Sequence, residues 1–415
     1  MITNPAQLLV LPLLGLVALS LLAGALLLLR QSLRPTQVRW PPRIRGEEIA
    51  GASLRRSDGQ ADIEAARRRE RASRRVVLPL VALIVLGVFF GRFAVAAFLH
   101  GGARPTPALA DSVVSGTHAA TLRVGERGPA DATTLILTHG WGADRRDWQE
   151  VLAALPPDLH VVTWDLPGLG ASSPGDHTPT SMSAMADELE AIVQAKGNGG
   201  PVILVGHSIG GMLNLEYARR YPERLGGVVK GLVQVDTTFT DPLLTKENAE
   251  RSRRMQPIYE PLLRGVEATA PLCRGLGWLA WSSGLAHVEL AMQSFAGRET
   301  WAQLDDMARY AWRSDPRVVA QGVIAMMHWD ASDVLPRVSV PTLVLAGLQD
   351  RTTLPSASRR MAQDIPAAQL VEISPAAHLG PVESAGDYAR PIADFSRRVG
   401  GPAARVALGQ ESRLP

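Results

Sequence analysis

Three residues, far apart in this chain of 415, could together do acyl-transfer chemistry. Ser208 sits in Gly206-His207-Ser208-Ile209-Gly210. Four branched residues, Val202–Val205, read as a buried strand before it, and Met212–Tyr221 reads as a helix behind it, stopped by Pro222. A strand, a tight turn and a helix is the context in which a serine can be lifted above a sheet edge. Gly206 and Gly210 remove side chains that would collide in such a turn, and the N–H groups that follow open a helix, where negative charge is favoured. A serine hydroxyl needs a base, and the base needs a carboxylate to orient it. Asp350 follows a strand read over Thr342–Ala346, and His378 follows the next strand, Gln369–Ile373. Asp236, after the strand Gly231–Val235, is the second candidate for the acid.

These residues need a common frame. Strands are read at Thr133–Thr138, which runs into His139-Gly140-Trp141-Gly142, and at Leu159–Trp164, which runs into Asp165. An earlier strand is read at His118–Val124, and helices at Asp147–Leu155, Ser183–Gln194 and Asp387–Val399. Alternation of this kind predicts an α/β fold, a mostly parallel, doubly wound sheet with crossover helices. Ligands of such sheets bind beyond the C-terminal strand ends, where His139, Asp165, Ser208 and Asp236 all fall. Residues 240–330 interrupt the alternation with helices and hold five of the nine tryptophans.

Taken together, residues 112–400 resemble the α/β-hydrolase superfamily. The chain order Ser208, Asp350, His378 is that of the family's catalytic triad. The resemblance implies that the backbone N–H groups of Trp141 and Ile209 form the oxyanion hole, with Gly140, Gly206 and Gly210 in supporting positions. His139, before Gly140, reads as ordering that loop and not as the base, and His207 reads as a packed or hydrogen-bonded histidine. Residues 240–330 match the family's helical cap in position. Dehalogenases and epoxide hydrolases of the superfamily carry aspartate at the elbow, so a serine points to ester or related acyl chemistry, without a cofactor. A cofactor-free haloperoxidase or perhydrolase, or an acyltransferase, would use the same triad. A non-catalytic scaffold on this fold is the reading from another class.

Outside the α/β region the chain is different. Leu8–Leu29 is apolar and uncharged, long enough to cross a bilayer, and no Lys or Arg precedes it as in a signal peptide. A second apolar stretch runs over 76–99, broken by Gly91-Arg92. Between them, residues 30–75 hold 13 arginines against 6 acidic residues; Ala61–Glu70 could form a helix near an anionic membrane surface, and the stretch as a whole reads as a solvated basic loop. The positive-inside rule places that loop in the cytoplasm and everything after residue 100 outside. Residues 1–99 are therefore expected to be a two-helix membrane anchor, 100–111 a linker, and 401–415 a disordered tail. The sequence pI of about 9.3 comes from the basic loop, which argues against nucleic acid as a partner and for a membrane. The expected substrate is a small-molecule or lipid ester. The single cysteine, Cys273, excludes an intrachain disulfide, and no spacing suggests a metal site.

Overall fold

The structure is a computed structural model that describes residues 5–33, 52–99, 101–102, 107–176 and 180–401. The chain opens with three helices, α1 (Pro5–Leu33), α2 (Ala52–Phe90) and α3 (Arg92–Ala96). α2 starts well before the second apolar stretch and takes in residues expected to form the solvated loop. Ala61–Arg75 is rich in alanine, glutamate and arginine, good helix formers, and it places Glu64 and Arg68 one turn apart at 4.0 Å. Residues 34–51 of the expected loop lie outside the described residues, as does the expected tail beyond Gly401. Among the described residues no helix is long and apolar enough to cross a membrane.

An eight-stranded sheet follows. In chain order the elements are β1 (Ala110–Ser115), β2 (Thr121–Arg127), β3 (Thr134–Thr138), α4 (Gln149–Ala154), β4 (His160–Trp164), α5 (Met182–Lys196), β5 (Val202–His207), α6 (Ile209–Arg220) and β6 (Val229–Val235). A helical insertion comes next: α7 (Ala249–Ala268), α8 (Ala270–Ser282), α9 (Leu285–Ser294), α10 (Trp301–Ala308), α11 (Tyr310–Arg313) and α12 (Pro316–Met327). The sheet resumes with β7 (Thr342–Gly347), α13 (Pro355–Asp364), β8 (Ala368–Ile373), α14 (Gly380–Glu383) and α15 (Ala385–Gly400). The strand order is β1-β2-β4-β3-β5-β6-β7-β8. β1 pairs antiparallel with β2, and β2 antiparallel with β4, while the other pairings are parallel. β1 begins at Ala110, inside the expected linker. It is a mostly exposed edge strand, so it lacks the apolar run that marks a buried one.

Residues 135–137 show how the sheet is held. Leu135 and Leu137 point to one face and Ile136 to the other, because side chains alternate along a strand. Ile136, Val162, Leu204 and Leu232 pack on the side of α5, α6 and the insertion. Leu135, Val161, Ile203 and Val233 pack on the side of α15 through Tyr388, Ile392 and Phe395. Each such side chain contributes roughly 1.5–3 kcal/mol by leaving water. The parallel register sets Thr138 opposite Trp164 and Gly206, and His207 opposite Val235. The C-terminal ends of β3, β4, β5 and β6 are thus flush, and the loops leaving them share one edge of the sheet.

Candidate active site

Ser208 occupies a backbone conformation with φ 55° and ψ −120°, which side-chain-bearing residues rarely adopt. The turn survives because Gly206 and Gly210, two residues away on either side, have no side chains. A Cβ on Gly206 would lie 2.1 Å from the Gly210 carbonyl carbon, and one on Gly210 would lie 2.3 Å from the Thr138 carbonyl oxygen. The Ser208 N–H donates to the Val235 carbonyl at 3.0 Å, and the Thr237 hydroxyl donates to the Ser208 carbonyl at 2.5 Å. Strand and following loop thus fix both sides of the serine.

His378 and Asp350 arrive from the loops after β8 and β7. His378 Nδ1 lies 2.8 Å from Asp350 Oδ2. Both side chains are buried. The carboxylate is itself held: Oδ1 accepts from the Thr352 and Thr353 N–H groups at 2.7 and 2.9 Å, and Oδ2 accepts from the Thr353 hydroxyl at 2.8 Å. With Nδ1 on the carboxylate, His378 Nε2 is buried and, among the described residues, has no hydrogen-bond partner. Neutral imidazole in that tautomer carries a free lone pair on Nε2, the requirement for a general base.

Asp236 is engaged elsewhere. Its Oδ1 accepts from the Gly347 N–H at 2.6 Å, and its Oδ2 is 2.7 Å from the Tyr388 hydroxyl. Burial, and then the nearby Asp350 charge, push its pKa well above the usual carboxylate range. It braces the start of the Asp350 loop.

The loop after β3, which carries the expected oxyanion donor Trp141, is ordered by histidine and aspartate. His139 Nδ1 is 2.8 Å from the Gly140 carbonyl, and its Nε2 accepts from the Leu166 N–H at 3.0 Å, so both ring nitrogens are used. Asp165 accepts from the Arg145 and Ala171 N–H groups at 2.7 and 2.9 Å and braces the two adjoining loops. The Trp141 indole turns into the insertion, where Nε1 donates to the Val319 carbonyl at 2.9 Å. Its ring lies against α12 at Gly322, where a Cβ would be 1.9 Å from the indole. Among the described residues the backbone N–H groups of Trp141 and Ile209 donate to no protein acceptor.

His207, beside Ser208, ties these loops together. Its Nε2 lies 2.9 Å from the His378 carbonyl oxygen, and its Nδ1 lies 3.0 Å from Asp147 Oδ2. Both partners are acceptors, so both ring nitrogens must carry protons. Burial pulls the imidazole pKa down, but the Asp147 carboxylate more than offsets it, and the value lies above the usual 6.5. Burial pushes Asp147 up while His207 pulls it down, and the net shift is below the usual 3.8. Asp147 Oδ2 also accepts from the Gly140 N–H at 3.3 Å. The buried pair therefore joins the loop after β3, through the Gly140 N–H, to the backbone of His378.

Asp147, Thr353 and Tyr388 carry none of this in their sequence context. Asp147 reads as an ordinary first-turn helix residue, and its partner is 60 positions away. Ser208 is only 5% exposed. A cleft of about 450 Å³ opens beside the loops after β3 and β4, bordered by Arg145, Asp165, Arg274 and Tyr310, and none of Ser208, Asp350 or His378 lines it. Among the described residues no cluster of His, Cys, Asp or Glu could hold a metal ion.

Residues 133–385 match the family model of the α/β hydrolase fold. The chain belongs to the α/β-hydrolase family and is an enzyme of that family. It is 27% identical over 262 residues to the putative carbamate hydrolase RutD of Yersinia enterocolitica, across 61% of this chain and 83% of that one. It is 25% identical over 271 residues to the biotin biosynthesis bifunctional protein BioHC of Teredinibacter turnerae, across 64% of this chain. The chain spans only 45% of that protein's length. Among solved structures, a thermophilic esterase from Thermogutta terrifontis aligns with a TM-score of 0.56 and 26% identity, across 70% of this chain and 99% of that one.

Proposed function

We propose that this enzyme is a membrane-anchored serine hydrolase of carboxylic esters that works through an acyl-enzyme on Ser208. The observation that carries the reading is the 2.8 Å contact between His378 Nδ1 and Asp350 Oδ2, with Ser208 at a strained elbow. Ser208 Oγ attacks the ester carbonyl while His378 Nε2 takes its proton. Asp350 holds the tautomer and stabilises the imidazolium that forms. The N–H groups of Trp141 and Ile209 take the oxyanion, and one such donor is typically worth roughly 100- to 1,000-fold in rate. His378 then protonates the leaving alkoxide, and a water that gives its proton to His378 releases the acid. The esterase likeness favours an ester substrate.

The acid assignment is tested by two substitutions. Asp350→Asn should lower kcat about 10⁴-fold, as wrong-tautomer variants do. Asp236→Asn, which keeps an oxygen for the Gly347 N–H, should leave kcat close to wild type. The reverse pattern would move the acid to Asp236. The anchor rests on the uncharged Leu8–Leu29 run and the arginines that follow it. Reporter fusions after residues 60 and 105 should report opposite sides of the membrane, and the same side for both would remove the two-helix anchor.

A further inference from the structure

The insertion has a second apolar face. In α8 and α9, Cys273, Leu276, Ala280, Ala286 and Leu290 turn into the core. Leu272, Trp278, Val288 and Met292 turn outward, at 59%, 37%, 45% and 66% exposure. Single exposed apolar residues are ordinary, whereas four on two consecutive helices point to a contact surface.

The N-terminal helices lie against this part of the insertion. Gly15 of α1 meets the α8 backbone so closely that a Cβ there would be 2.2 Å from the Leu276 carbonyl oxygen. The Ser282 hydroxyl donates to the Val88 carbonyl of α2 at 3.0 Å. Phe89 faces Trp278 with ring centroids 6.0 Å apart, and the Arg92 guanidinium sits 3.8 Å over Trp281. Close backbone approach at a glycine, with a hydroxyl on a helix carbonyl, is how helices associate in lipid. Away from these contacts α1 and α2 stay apolar outside, with Leu19, Leu21, Leu27, Leu83 and Leu86 all exposed. The apolar surface thus continues from the hairpin onto Trp278 of α8, with Leu272, Val288 and Met292 exposed beyond it and Arg274 and Gln293 exposed among them. Position along the hairpin matters too. α8 touches residues 15 and 88–92, whereas Arg67, Arg68, Arg71, Arg74 and Arg75 lie earlier on α2. The arginines suit anionic headgroups at one interface, and α8 lies toward the other.

We propose that the outer face of α8 and α9 rests in the lipid leaflet opposite the arginines, so that the cap takes acyl substrate from the bilayer and delivers it to Ser208. The proposal deepens the membrane-anchored reading and rests on it. The route from lipid to chemistry is short. α9 ends at Ser294, whose carbonyl accepts the Leu379 N–H at 2.8 Å, one residue from His378. The next segment is pinned to the same loop, with the Ala296 N–H on Glu383 at 2.9 Å. A shift of α9 in lipid is therefore felt at the base.

The test uses the full chain in vesicles of seven parts phosphatidylcholine to three parts phosphatidylglycerol. In a Cys273→Ser background, one fluorophore is placed through Met292→Cys and another through Gln363→Cys, on α13 by the β8 edge. Nitroxide-labelled acyl chains should quench the probe at 292 and spare the one at 363. Leu272→Asp with Met292→Asp should lower the ratio of turnover on a bilayer-borne long-chain ester to that on a water-soluble short-chain ester about tenfold. Vesicle flotation with equal quenching at the two sites would overturn the lipid-facing cap and leave the anchor standing. Cross-linking between 292 cysteines of two chains without lipid quenching would overturn it in favour of a second copy. Failure to float with the vesicles would overturn the anchor and the proposal together.

Discussion

Replacing Asp147 by asparagine should cost more than an isosteric change at a helix start normally does. Asp147 Oδ2 serves two donors, His207 Nδ1 at 3.0 Å and the Gly140 N–H at 3.3 Å. Asparagine has one oxygen and one NH₂. With its NH₂ toward the pair, the Gly140 N–H faces a donor and is orphaned, which costs about 1–3 kcal/mol. With its oxygen toward the pair, His207 keeps both hydrogen bonds only as a buried cation without its counter-charge, which costs about 3–5 kcal/mol. The loss should therefore be at least about 1–3 kcal/mol, taken by the less costly route. Its pH dependence has a defined sign. Asp147 lies below the usual 3.8, so its part of the stability is present above that value and lost as pH falls through its folded pKa. His207 lies above the usual 6.5, so its part is fully present below 6.5 and lost as pH rises through its folded pKa. The penalty of Asp147→Asn should be greatest between about pH 4 and 6.5 and shrink at higher pH. Urea unfolding of wild type and variant in one detergent, from pH 5.5 to 10, measures it. A penalty under about 0.5 kcal/mol at pH 5.5, or one that does not change with pH, would refute the charged-pair argument.

Other residues give further tests. Asp241 is raised by burial to about 6, so the folded state resists its ionisation and wild type loses stability as pH rises through that value. Asp241→Asn keeps an acceptor for the Leu243 N–H and should stabilise the enzyme by about 1–3 kcal/mol at pH 8, less at pH 5, in paired urea titrations. Thr353→Val removes the hydroxyl that donates to Asp350 Oδ2 and should lower kcat with little change in KM, read from steady-state kinetics on a short ester. Gly206→Ala drives a methyl into the backbone at Gly210 and should cost about 3 kcal/mol or more, seen as a lowered melting temperature or loss of folded protein.

How much could be read from the chain depended on whether the signal was local. The strand ends at Thr138, Trp164 and Val235 were legible because buried parallel strands are short runs of branched residues that stop at polar or glycine positions, while β5 runs two residues beyond the Val202–Val205 stretch read for it. The elbow was legible because its backbone tolerates only glycine at Gly206 and Gly210. The pairing of Asp147 with His207, and of Asp236 with Tyr388, was not, because partners 60 and 152 positions apart leave no periodic trace. Asp236 and Asp350 both follow strands, and only side-chain packing separates the one on Tyr388 from the one on His378. β1 was missed because an exposed edge strand has no apolar run, and the start of α2 because a charged helix reads as a solvated loop.

The proposed chemistry requires an activated serine at position 208. Its most direct measurement is labelling of the detergent-purified enzyme with a fluorophosphonate, read by intact mass beside Ser208→Ala. One phosphonyl adduct is expected on wild type and none on the variant. Equal labelling of both, or no labelling of a wild-type sample that still melts cooperatively, would contradict it.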